Sequence, residues 1–123
     1  MRSREIEPAK WQEFAEAFRR KHGGWLVSIG LESGRGKRRA IARDVPLRGV
    51  VAAVSPQTAE VRVFAGGLAP EIEHVIASPA SMVVDETDDG AEASLTITDK
   101  SGVRTVIEFR SPMLTELVDG VVV

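Results

Sequence analysis

The sequence predicts an α+β domain in which an N-terminal amphipathic helix packs on a bent antiparallel sheet or small barrel of six to seven short strands. Three observations carry this reading. Apolar residues recur at helical spacing over residues 8–22. From residue 25 to about 110 the apolar period is two, with Gly, Pro and Asp punctuating short segments. No helical pattern lies between those segments, which argues against parallel β-α-β units. A length of 123 residues suits one domain, 1–123, able to bury roughly two-thirds of its unfolded surface.

The helix opens at Pro8, whose missing N–H would have no partner in a first turn. Trp11, Phe14, Ala15 and Phe18 fall on one stripe. Arg19, Arg20 and Lys21 complement the negative end of the helix dipole, and Gly23-Gly24 supplies the stop. Trp25 to Glu32 reads as a first strand and Lys37 to Val45 as a second, joined at Ser33-Gly34-Arg35-Gly36. Pro46 is expected to end that strand, and Leu47 to Val54 to follow as an apolar segment. Ala59 to Ala65 alternates, and Ile72, His74 and Ile76 share a face opposite Glu71, Glu73, Val75 and Ala77. Pro79 is expected to interrupt the chain before Ser81 to Glu86. The clearest pairing joins Leu95–Thr98 to Val103–Arg110 through Asp99-Lys100-Ser101-Gly102, with Asp opening and Gly closing the turn. It puts Leu95 and Ile97 on a core face with Thr105, Ile107 and Phe109. Ser111-Pro112 suits the start of a short C-terminal helical turn over about 112–118.

Charge is unevenly placed. The first 43 residues hold eleven Lys/Arg against five Asp/Glu, and the remaining 80 hold five against thirteen, within a net charge of −2. Such asymmetry points to partners rather than to chemistry. The chain has no Cys, which excludes disulfides, thiol nucleophiles and thiolate metal sites and suits a reducing cytoplasm. Basic residues near the start precede no apolar run of signal-peptide length, and Val50 to Val54 is far too short to cross a bilayer. A cytoplasmic domain without membrane contact is the expectation.

The catalytic inventory is small: two His, no Cys, no Tyr, no nucleophile elbow and no phosphate loop. His74 is the better candidate acid or base, yet it points away from Glu71 and Glu73, so a partly buried, structurally satisfied His is expected. His22 at the helix end reads as a favoured terminal residue. Asp85, Thr87, Asp89 and Gly90 imitate the front of a calcium loop, but Thr96 stands where its bidentate Glu belongs, so a solvated acidic turn is expected. Arg35, Lys37, Arg38 and Arg39, with Arg43 beyond, form the candidate binding cluster, suited to a phosphate backbone. No aromatic between Trp25 and Phe64 offers a stacking platform. The plainer account is a charged edge that discourages aggregation and pairs with the acidic C-terminal half, in the same molecule or a neighbour.

Trp11-x-x-Phe14-x-x-x-Phe18, His22-Gly23-Gly24-Trp25, Pro46-Leu47-x-Gly49-Val50 and His74-x-Ile76-x-x-Pro79 form a pattern spanning much of the chain. Leu95-x-Ile97-x-Asp99-x-x-Gly102-x-x-Thr105, Phe109-Arg110-Ser111-Pro112 and Leu117-Val118-Asp119-Gly120 extend it. The pattern resembles a family of small bacterial proteins built as a single domain of unknown function. That resemblance implies a soluble bacterial domain, marks His22, His74 and Arg110 as part of the pattern, and implies no mechanism. The leading expectation is therefore a non-catalytic module, without cofactor or metal, that self-associates or docks on a protein. Nucleic-acid binding through Arg35, Lys37, Arg38 and Arg39 is the alternative, and an enzyme using His74 ranks last.

Overall fold

A computed structural model of the chain describes residues 2–33, 36–67 and 72–110. Among these, one helix, α1 (Trp11–His22), stands beside eight strands. They are β1 (Arg2–Glu5), β2 (Leu26–Glu32), β3 (Arg38–Val54), β4 (Ala59–Ala65), β5 (Ile72–Ala77), β6 (Pro79–Glu86), β7 (Glu92–Asp99) and β8 (Arg104–Phe109). All pairings are antiparallel, in the order β1-β6-β7-β8-β2-β3-β4-β5. The α+β class and the antiparallel sheet are as expected, but the strands number eight rather than six to seven. The sheet is open, not a barrel, because β1 and β5 end it without pairing to each other. The unanticipated strand is β1, four exposed residues with no apolar alternation to announce them.

Pro46 does not end a strand. β3 runs seventeen residues through it and changes partner there, pairing with β2 as far as Pro46 and with β4 from Leu47 on. The backbone groups around the proline are satisfied nonetheless: Leu47 N–H donates to Trp25, and the Pro46 carbonyl accepts from Gly66. Register shifts on the β2 side and at Leu47/Gly49 bend the strand, as bulges do. Two halves of the sheet thereby enclose one core. Val27, Ile29, Leu47, Val61, Val63, Met82, Val84, Leu95, Ile97 and Ile107 are all 0–1 % exposed within it. Burying each such side chain stabilises by about 1.5–3 kcal/mol.

Pro79 opens β6 rather than interrupting the chain before it. Ser78 alone separates β5 from β6, at φ 53°, and passes the chain from one half of the sheet to the other. The expected hairpin forms between β7 and β8, with Leu95 opposite Ile107 and Ile97 opposite Thr105. The Asp99 carboxylate accepts from the backbone of Ser101 and Val103, and Gly102 takes φ 95°.

The helix begins with a 3-10 turn, Pro8–Lys10, before α1 proper. Trp11, Ala15, Phe18 and His22 are buried and Phe14 packs partly against the core, so the predicted stripe faces inward. Trp11 anchors the entry by donating its indole N–H to the Ile6 carbonyl at 2.9 Å. α1 lies on β3, where the side chain of Arg19 covers Gly49. The C-terminal helical turn expected over 112–118 lies outside the described residues.

Candidate functional site

Where α1 meets the end of the sheet, three elements converge on one buried ion-pairing group. His22 is the last residue of α1 and only 1 % exposed. Its Nε2 lies 2.6 Å from Oε1 of Glu92, the first residue of β7, itself 8 % exposed. The other carboxylate oxygen faces Arg4 of β1 at 3.8 Å. Phe18, Trp25 and Phe109 surround the imidazole with ring centroids 4.5 to 4.8 Å away. Its Nδ1 is buried and has no hydrogen-bond partner among the described residues.

Burial pushes the Glu92 carboxyl upward, but the His22 hydrogen bond and charge, with Lys21 and Arg4 nearby, outweigh it and hold the group below the usual carboxylate range. Glu92 is thus a carboxylate that fixes the ring. The arrangement fastens the end of α1 to β7 through a buried side-chain hydrogen bond. His22 does end the helix, as its position suggested, and there it meets a buried carboxylate that the sequence did not announce.

Glu92 escaped the sequence reading for a definite reason. Strict alternation sets it with Ser94 and Thr96 on the outer face. The register shifts from Asp85 opposite Ser94 to Glu86 opposite Glu92, and the residue gained on β7 turns Glu92 inward. A carboxylate just after Gly90-Ala91 carried no other signal.

His74 sits on the inner face of β5, half-buried, with Nε2 3.1 Å from the Thr105 hydroxyl across the core. Desolvation pushes its pKa down from the ordinary value. Glu73 points the other way and is held by Arg62 at 2.7 Å, whose Nε also meets Glu60 at 2.6 Å. The two histidines are therefore not brought together with any shared carboxylate, and Glu71 lies outside the described residues. Arg110 is exposed, and its backbone N–H closes on the Leu26 carbonyl.

The acidic turn has its own internal partners. Asp85 accepts from the hydroxyls of Ser3 and Ser94, and Thr87 donates to Asp89. Gly90 takes φ 93° at the turn. Among the described residues no three His, Asp or Glu are placed to hold a metal ion.

In the basic cluster, Arg35 lies outside the described residues, while Lys37, Arg38 and Arg39 are exposed at the β2–β3 link. Arg38 is engaged: its guanidinium bonds Glu108 and lies 3.9 Å from Glu32. It reaches Glu108 by passing over Gly30, where a Cβ would meet its Nε at 3.1 Å. Arg104 adds a contact to Glu32 at 3.5 Å. The part of the cluster that faces the sheet thus pairs within the molecule, partly with the C-terminal half.

The sequence profile of a family of unknown function, DUF5335, matches residues 2–117. The chain belongs to this family. No curated protein and no solved structure matches it. The DUF5335 match takes in every described strand and α1, and so both the His22–Glu92 pair and the basic link. Among the described residues no helix is long and apolar enough to cross a membrane.

Proposed function

We propose that this DUF5335 chain is a non-catalytic module that associates with copies of itself, steered by charge. The observation that carries the reading is the separation of its two charged ends. Lys37, Arg38, Arg39, Lys100 and Arg104 gather at one end of the β2–β8–β7 ladder, against Glu32 and Asp99. Asp85, Glu86, Asp88, Asp89 and Glu92 gather at the other, against Arg2, Arg4, Lys21 and Arg110. β7 spans the distance, roughly 23 Å at about 3.3 Å per residue. That is well beyond the ~8 Å screening length of physiological salt, so the ends do not neutralise each other within one molecule. They are complementary between molecules. Complementary charge favours encounter and orientation more than raw affinity.

Sedimentation velocity on the untagged chain tests this. Association is expected at about 0.1 M salt and should weaken towards about 1 M, as the screening length shrinks from about 10 to about 3 Å. A species of 13.3 kDa at every concentration and salt would overturn the reading.

A further inference from the structure

We infer that β5 is the strand through which two copies pair, edge to edge about a two-fold axis; this rests on the self-association reading above and names its surface. The two edges of the open sheet are unlike. β1 is four exposed residues carrying Arg2, Arg4 and Glu5. Antiparallel pairing of two such strands on matching faces sets Arg2 opposite Arg4, or Arg4 opposite itself, and like charges directly opposite are destabilising. Short, charged edges of this kind resist pairing.

β5 is six residues long and carries one carboxylate, Glu73, already held by Arg62. Val75 stands outward from it, 43 % exposed. Among the described residues no strand pairs with its free side. Setting Val75 opposite Val75 of a second copy places Glu73 opposite Ala77 and His74 opposite Ile76, so no like charges meet. Across the outer face Val51, Arg62 and Val75 stand side by side on β3, β4 and β5, and the axis continues that row into the second copy. A β1-to-β5 contact would instead leave edges free and propagate into a filament.

Sedimentation of the full chain and of two variants tests the assignment. Val75→Lys sets two ammonium groups opposite each other at the axis and is expected to raise Kd about tenfold or more. Val51→Lys, on an equally open residue of the same face but two strands inward, is expected to change it less than about threefold. A wild-type dimer that Val75→Lys leaves intact overturns the β5 interface while self-association stands, whereas a wild-type monomer overturns both. Backbone hydrogen exchange on the wild type gives a measure independent of any variant's folding. Protection within residues 72–77 should rise with protein concentration, and protection that does not change rules the interface out.

Discussion

The Nε2–H of His22 has Glu92 as its acceptor, and neither group has open access to water. Glu92→Ala would strand that donor beside an Nδ1 that has no partner among the described residues, and is expected to cost about 3 kcal/mol in urea unfolding. Glu92→Gln keeps an acceptor for the N–H and should cost less. It should also change the pH profile. Because the folded pKa of Glu92 is depressed, its contribution is present above the ordinary carboxylate range and fades as pH falls through the folded value. Asp99, held down chiefly by the Ser101 hydroxyl, acts with the same sign in the same acid window. His74 acts higher: kept neutral by burial, it binds fewer protons folded than unfolded below its ordinary value of about 6.5, so stability declines from there downward. Glu92→Gln should therefore flatten the acid limb in part and leave the decline that begins near pH 6.5 unchanged. An acid limb identical to the wild type would deny Glu92 its role as the fastening carboxylate.

At the level of elements, bends and crossings decide the architecture, and they rest on single residues in unusual conformations. Asp44 at φ 51° lies within the bulged part of β3, and Ser78 at φ 53° turns β5 into β6. Ser78 also ties the corner together, donating to the Ala59 carbonyl at 3.2 Å and accepting from Lys100 N–H at 3.0 Å. A β-branched side chain is a true outlier at positive φ. Ser78→Val is expected to destabilise by about 2 kcal/mol, whereas Ser78→Gly should stay within about 0.5 kcal/mol, local relief offsetting the extra freedom of the unfolded chain. Equal losses for both variants would place the cost in the lost hydroxyl rather than in the backbone. These residues also explain what the sequence made legible. Trp11, Ala15 and Phe18 announced the helix face, and Leu95, Ile97, Thr105, Ile107 and Phe109 announced the hairpin core, because unbroken periodicity maps directly onto burial. Pro46 and Pro79 misled, since a proline that changes a strand's partner or opens a strand looks the same in sequence as one that ends it. β1 was silent because an edge strand with four exposed residues has no apolar face to alternate. Glu92 was hidden by a bulge, and a register shift leaves no mark on composition.

The whole molecule is an open sheet with one charged edge and one plain edge, and the self-association proposed above turns on which of its basic charges remain free. Lys37, Arg39 and Arg43 are exposed, whereas Arg38 is committed to Glu108 across Gly30. Replacing Lys37, Arg39 and Arg43 together with Ser, and sparing Arg38, removes part of the basic charge without opening the sheet surface. Folding should be unchanged by circular dichroism. Steered association accelerates encounter by roughly 10- to 1,000-fold, so removing part of the charge should slow association of the triple variant several-fold at low salt and reduce its salt dependence. At high salt it should match the wild type, because the substitutions leave the proposed β5 contact untouched. The same pair of proteins also separates self-association from the alternative of an anionic polymer. Titrated with single-stranded DNA at about 0.1 M salt, a nucleic-acid binder would lose affinity in the triple variant and show a steep salt slope in the wild type, in proportion to the phosphates neutralised. A self-association module with an acidic second half should instead bind the DNA weakly in both forms, while dimer formation alone responds to the substitutions.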